Sequence, residues 1–398
     1  MQVQTTDLKE KFPNAHCVQL VSVAKGTAFC FALVNVWKTD AYKSIEQVVI
    51  CIQGANIKDV YSIHNPEKYT RWLCMYALDN SNYWLGSSYS RIHSGATLSL
   101  FSENTLLKSC SYDQGHDSEI IKLEKTKRGD ILIEGNWYRC IRAGGHDEFW
   151  PEKWEATISN EGADIPEEND ALHTQDYFPV SISDSNLNCF FVIENFGISK
   201  YTSTGEMLWN KGLGDIGNEK LMPLTYMARY NTFEKKLASS DGVWFAGLDY
   251  KNSDRYLGEA LFGRITSAGH IFSLSYLFND YPEVFKIHAL VSGNNSNCLL
   301  IGETLHVGKG SGLFILHIHY SNNEYSKKIR YLNFSADDLQ LSISNKPVFE
   351  ERYVDIKGVF PQHSNLEELK EIVILGNVTH LRNRDNGMIW SIQLEDTF

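Results

Sequence analysis

Only nine prolines interrupt the 398 residues. Disordered tracts and Pro-rich linkers need many more, so neither forms the body of this chain. Long hydrophobic runs are also missing: the stretch Asn188–Glu194 is short and polar at both ends, far from the roughly 18 apolar residues of a membrane span. Basic side chains are in deficit, 37 Lys and Arg against 49 Asp and Glu, a formal net charge of −12. Neutralising phosphates takes clustered cations, so a nucleic-acid partner is not expected. Met1–Lys11 carries charges where a secretory signal would have its apolar core, and no such signal is expected there. Cys17, Cys30, Cys51, Cys74, Cys110, Cys140, Cys189 and Cys298 are widely spaced, without a CxxC pair, and most sit in apolar strand-like runs. They read as small buried hydrophobes in a reducing, cytoplasmic compartment. The sequons at Asn294, Asn333 and Asn377 then carry no weight, because glycosylation requires secretion.

Motifs that anchor catalysis are equally scarce. The chain has no G-x-S-x-G elbow and no dinucleotide fingerprint. Gly308-Lys-Gly-Ser-Gly312 is rich in glycine, but a phosphate cradle needs GxxxxGK[ST] between a strand and a helix. Here it lies between two expected strands and reads as a hairpin loop. No catalytic residue and no cofactor is assigned.

Aromatic residues, by contrast, make up 12% of the chain, which favours pleated, half-buried strands. Short apolar runs recur, many ending at or near Gly: Phe29–Val34, Tyr83–Gly86, Ile131–Gly135, Cys189–Ile193, Val243–Gly247, Cys298–Gly302 and Ile372–Gly376. The step between them is roughly 50–60 residues, with the last one longer, the spacing of propeller blades. Each is followed by a second strand-like run, such as Gln47–Ile52, Ala96–Phe101, Leu261–Ile265 and Met388–Leu394. Tight turns flank several of these, including Thr202-Ser-Thr-Gly205, Thr266-Ser-Ala-Gly269 and Asp385-Asn-Gly387. An alternating segment precedes each pair, as in Val18–Val23 or Tyr353–Lys357.

Thr202-Ser-Thr-Gly-Glu-Met-Leu-Trp209 and Thr266-Ser-Ala-Gly-His-Ile-Phe272 resemble the strand–turn–strand of quinoprotein-like and WD40-like β-propellers. The resemblance covers most of the chain but is shallow in each unit. No full tryptophan-docking signature repeats, no WD dipeptide closes the units, and no quinone or calcium position can be matched. What it implies is a fold. The expectation is an all-β chain, one seven-bladed β-propeller with roughly four antiparallel strands per blade. Its blades would span 16–64, 70–113, 119–164, 177–214, 226–279, 284–335 and 350–398, with 1–15 closing the last. The competing architecture is two all-β domains divided around residues 147–176.

Three groups of residues are candidates for function. The acidic stretch 147–176 reads as a long rim loop, or as a lip for a partner with a basic surface, through Glu161, Glu167, Glu168 and Asp170. Trp150 and Trp154 beside it are either interface anchors or packing residues. His146, Asp147 and Glu148 next to these indoles also suit glycan chemistry in type, although adjacent residues do not fix the separation such chemistry needs. His317 and His319 share one face of a strand, and His306 could stand on the neighbouring one; three imidazoles could bind zinc, but no carboxylate or Cys is placed to complete the site. The balance favours a non-enzymatic module that presents a rim to another protein. The alternative is a propeller lectin or enzyme acting on a glycan or small molecule in the central channel.

Overall fold

The computed structural model describes residues 1–38, 45–63, 70–88, 95–112, 117–125, 130–143, 146–160, 181–184, 189–194, 197–212, 224–230, 242–249, 259–270, 275–276, 284–293, 297–306, 310–321, 324–334, 341–345, 353–363, 366–380 and 383–394. Strand β1 (Gln2–Asp7) and the single-turn helix α1 (Leu8–Lys11) come first. The sheets then follow in chain order. One contains β2 (Cys17–Lys25), β3 (Cys30–Trp37), β4 (Ile45–Gln53) and β5 (Asn56–Ser62). The next contains β6 (Trp72–Ala77), β7 (Asn82–Ser87), β8 (Ala96–Ser102) and β9 (Thr105–Tyr112). A shorter sheet holds β10 (Asp117–Lys125), β11 (Ile131–Ala143) and β12 (His146–Ile158). After it come β13 (Ser181–Asp184), β14 (Cys189–Glu194), β15 (Gly197–Thr202) and β16 (Met207–Gly212). They are followed by β17 (Leu224–Tyr230), β18 (Gly242–Asp249), β19 (Glu259–Thr266) and β20 (Ser275–Tyr276). A five-stranded sheet holds β21 (Val284–Ser292), β22 (Asn297–His306), β23 (Gly310–Ser321), β24 (Glu324–Phe334) and β25 (Leu341–Ser344). The last has β26 (Tyr353–Pro361), β27 (Glu371–His380) and β28 (Asn383–Gln393), to which β1 adds antiparallel, from Gln2 opposite Gln393 to Asp7 opposite Met388.

Every sheet is an antiparallel meander, and the arrangement is a β-propeller. The blade count needs correction. Six sheets, of four or five strands, are full blades rather than the seven expected; β10–β12 has three strands. The described part of that sheet ends at β12. β11 and β12 pair residue by residue along thirteen positions, and no described strand runs beside the outer edge of β12. That edge carries Pro151, which has no N–H to donate, and exposed Glu152, Lys153 and Glu155. Proline and charge on an edge are what discourage a further strand from pairing.

The first strand of each meander faces the axis: β6 touches β2 and β10, β17 touches β13 and β21, and β26 touches β21 and β2. The second strand is sandwiched between neighbouring sheets, and this is where the Gly-ended apolar runs lie. All of Cys30–Trp37 is buried, for example. Outermost strands meet water, as Leu106 and Leu107 on β9 and Met207 and Leu208 on β16 show.

Polar clamps tie sheet to sheet. The buried Asn377 on β27 accepts from the Leu20 N–H (2.8 Å) and donates to the Leu20 carbonyl (2.9 Å). Gln47 on β4 does the same for Trp72, accepting at 2.8 Å and donating at 3.0 Å. Both clamped residues directly precede a bulge in an axis-side strand, at Leu20/Ser22 and Trp72/Cys74, where the ladder has groups to spare. A different lock joins β16 to the turn after β19. The Trp209 indole lies where a Cβ on Gly269 would sit 3.2 Å from it, and its Nε1 donates to the Ser267 carbonyl at 3.2 Å. Gly269 (φ 83°) and Gly205 (φ 87°) close like turns, each donating N–H to a Thr carbonyl, of Thr266 at 2.9 Å and of Thr202 at 3.0 Å. The left-handed backbone at both positions selects Gly. The Trp209–Gly269 contact thus ties two neighbouring sheets together.

No described helix is long and apolar enough to cross a membrane.

Candidate functional site

Strand lengths place the candidate site. β10 pairs with β11 from Lys125 opposite Ile131 up to Asp117 opposite Tyr138, and there the pairing ends. β11 and β12 continue together for five more residue pairs: Arg139 opposite Trp150, Cys140 opposite Phe149, Ile141 opposite Glu148, Arg142 opposite Asp147, and Ala143 opposite His146. At about 3.3 Å per residue this makes a two-stranded ribbon reaching some 17 Å beyond the axis-side strand. The sequence keeps strand character through Asn136–Ala143 and again from His146, with Gly144-Gly145 as the only break. The stretch 147–158, expected to begin a rim loop, is strand instead. Pro151 is tolerated because Tyr138↔Pro151 can be a non-hydrogen-bonded pair, in which an N–H toward β11 is not required.

The two tryptophans grouped by sequence separate in the structure. Trp154 belongs to the sheet body: it stacks on Tyr112 of β9 (centroids 5.5 Å apart, planes at 23°) and packs with the core around Ile131, Ile133 and Ile158. Its indole lies over Gly135, where any Cβ would come within 2.1 Å of the ring. Gly135 is thus the residue that makes room for Trp154. Trp150 sits in the projecting half of the same strand. Glu161, Glu167, Glu168 and Asp170 lie outside the described residues.

The histidine trio does not assemble, which corrects the expected metal set. His306 ends β22 opposite Gly310, whereas His317 stands opposite Leu299, seven residues away along β22 (306 − 299), or about 23 Å. A short connection puts His306 at the hairpin tip and the other two at its far end. His319 is hydrogen-bonded through Nδ1 to Asn297 Oδ1. His317 is half-buried, and burial, followed by the charges of His319 and Lys328, holds its pKa below the usual imidazole value. No group of three or more metal-ligating side chains occurs among the described residues.

Several charges on the axis-side strands pair within their own sheets, although Lys25 of β2 donates from Nζ to the Pro361 carbonyl of β26. Lys122 contacts Glu134 (2.7 Å) and Glu124 (2.9 Å), and Lys357 contacts Asp355 (2.7 Å). His288, at a bulge of β21, pairs with the buried Glu303 at 3.1 Å. Glu119 accepts from the Tyr138 hydroxyl (2.6 Å) and from Asn136 Nδ2 (3.2 Å). A small-molecule site at the axis needs such groups to converge from several sheets, and these are directed inward to their own. The thiols are no better as nucleophiles: burial pushes Cys30 and Cys74 up to about 12 and Cys51 to about 11.

No family model matches the chain, and no curated protein does. Solved structures that resemble it over nearly the whole chain do so loosely. A subtype N10 neuraminidase-like protein of A/little yellow-shouldered bat/Guatemala shares 9% identity, covering 99% of this chain and 98% of that one, with a TM-score of 0.35. A protein of unknown function from Dyadobacter fermentans shares 8% identity, covering 96% of each chain, with a TM-score of 0.39. A subtype N11 neuraminidase-like protein of A/flat-faced bat/Peru shares 8%, covering 96% of this chain and 89% of that one, at 0.35. No activity, substrate or partner passes from these proteins to this chain.

Proposed function

We propose that this chain is a non-enzymatic protein-binding module or assembly subunit that grips its partner with the β11–β12 ribbon. The observation that carries the reading is the five-pair extension of the ribbon beyond the end of β10, in the stretch of β12 that holds Phe149 and Trp150. Acidic residues follow one another along β12, at Asp147, Glu148, Glu152 and Glu155, and would favour a basic surface on that partner. Glu161, Glu167, Glu168 and Asp170 would extend the same acidic lip. The buried, high-pKa thiols suit a reducing compartment, here proposed to be the cytoplasm. The Trp209–Gly269 contact supports reading the propeller as quinoprotein-like in build, without its cofactor chemistry.

The test is affinity purification from the native host, read by mass spectrometry. The intact protein is compared with a variant in which residues 139–150 are replaced by an Asn-Gly turn joining Tyr138 to Pro151. The intact protein should retain one stoichiometric protein, and the shortened variant should lose it while melting at the same temperature. A co-purifying glycan or small molecule that both variants retain would replace this reading with the propeller lectin or enzyme.

A further inference from the structure

Without His306, the histidine set still leaves a pair. His317 and His319 are two residues apart on β23, and the ladders to β22 and β24 run past them without a register shift, so both imidazoles project from one face. The buried clusters identify that face. Leu299, Ile301, Leu313 and Ile315 pack with Ile372, Ile374 and Trp390 of the last sheet, whereas Leu300, Phe314, Leu316 and Ile318 pack on the other side, with Trp244 and Phe262. His317 stands opposite Leu299 and His319 opposite Asn297, so the pair continues the first of these faces beyond its apolar part. Both rings are half-buried there.

One of the rings is oriented by its neighbour. His319 donates from Nδ1 to Oδ1 of Asn297, its register partner on β22. An amide oxygen only accepts, so Nδ1 carries the proton and, in the neutral ring, Nε2 keeps its lone pair. An imidazole is prepared for a metal ion in this way, its second nitrogen donating to an oxygen that fixes ring and tautomer. Asn297 is itself held, its carbonyl accepting from the Gly293 N–H at 2.8 Å. The register also brings a carboxylate that sequence spacing did not show. Ser321 stands opposite Glu324, two residues beyond the His319–Ser326 pair and on the same face. Diagonal neighbours of this kind lie about 7–8 Å apart, within reach of a long side chain. Glu324 is exposed and can turn toward the rings. Lys328, opposite His317, is the opposing charge; it is exposed too, and its stem lets the ammonium face water.

We propose that His317, His319 and Glu324 bind one borderline divalent metal ion such as zinc, with Asn297 as a positioning residue. Two imidazoles and a carboxylate suit zinc, copper or nickel; calcium and magnesium take oxygen ligands. Water fills the fourth position of a tetrahedral shell. The set is drawn together on binding, because the imidazoles share a face beforehand and Glu324 joins them from the next strand. The ion then fastens β23 to β24 at the end of the hairpin, while Asn297 carries the same restraint to β22.

The test is zinc chloride titrated into the chelator-treated intact protein by calorimetry. One ion per chain should bind. Asn297→Ala should weaken binding about tenfold, as loss of an orienting partner does, and His317→Ala or His319→Ala at least as much. His306→Ala, at the other end of the hairpin, should change nothing. Glu324→Gln should weaken binding and Lys328→Gln should strengthen it. Zinc should raise the melting temperature of the intact protein and leave that of the His317→Ala, His319→Ala double variant where it is. With cobalt(II) as the probe, the visible spectrum at saturation should be the same for the intact protein and Asn297→Ala, which keeps every ligand, and altered for Glu324→Gln. The proposal is overturned if zinc does not bind saturably, if His306→Ala costs as much as His319→Ala, or if the double variant binds as the intact protein does. Unchanged affinity and spectrum in Glu324→Gln overturn the three-ligand set.

Discussion

Trp150 and Trp154 stand four residues apart on β12, yet they belong to different parts of the molecule. The lower half of β11 and β12 is blade: Ile131, Ile133 and Ile158 are buried, Gly135 yields its Cβ space to Trp154, and β10 covers one edge. The upper half has the same pairing, but β10 does not run beside it. Continuous backbone pairing therefore does not imply a continuous role. What separates the halves is the end of β10 at Asp117, which removes the neighbour that would turn a ribbon into a sheet. Disturbing the body should cost stability, and disturbing the ribbon should cost binding.

The largest contrast is expected between two deletions. Removing residues 2–7 exposes the edge of β28 and leaves Met388, Ile389, Trp390 and Ile392, all buried in the complete sheet, beside an open strand. Cooperative melting by circular dichroism should be lost, whereas the 139–150 replacement should melt as the intact protein does. Next come the two tryptophans. Trp154→Ala should lower unfolding free energy by about 3 kcal/mol in denaturant titrations, and Trp150→Ala by less than about 0.5 kcal/mol. Equal losses would erase the distinction between the halves.

Breaking a polar clamp is expected to cost less. Asn377→Ala or Gln47→Ala leaves a backbone N–H and C=O of the adjacent sheet without a buried partner, worth about 1–3 kcal/mol in denaturant titrations, with retention of a co-purifying partner unchanged. The smallest effect concerns the turn after β6. Partial burial raises the pKa of Asp79, but hydrogen bonds from the Asn82 side chain and from the Ser81 and Asn82 N–H groups outweigh it and hold the carboxyl below its ordinary 3.8. A depressed pKa stabilises the fold above the ordinary value, and that contribution fades as pH falls below it. Solvent screening at this surface turn keeps it under about 1 kcal/mol. Asp79→Asn should therefore cost a little at pH 7 and nothing at pH 2, by thermal melting; an equal cost at both would remove the charge from the explanation.

Much of the blade pattern was legible because the second strand of each meander packs on both faces and so appears as an unbroken apolar run. Phe29–Val34 overlaps β3, and Cys298–Gly302 lies within β22. Sheet size was not legible. The edge of β12 carries Pro151, whose effect depends on how the strand is paired and leaves no periodicity to read. The site was legible in part. His146, Asp147 and Glu148 beside two tryptophans drew attention to this stretch, but Pro151 and the acids made the start of β12 look like a loop. The histidines misled because H-x-H fixes a face of one strand and says nothing about where along its neighbour a third ligand falls. The clamp residues Asn377 and Gln47 carried no local signal, since each answers a bulge in a different sheet.

The clasp between β1 and β28 has a consequence for how the chain is made. Gln2 meets Gln393, so 391 positions (393 − 2) separate the two ends of one hydrogen-bonded pair. Such a contact is among the slowest to form, because loop-closure entropy must be met before the pairing offsets it. Nor can it begin until β28 has left the ribosome, and at about 5–20 residues per second the first strand waits tens of seconds for its mate. During that interval the mixed polar and apolar side chains of β1, none of them fully buried even in the finished sheet, suit it to remain in solution on its own.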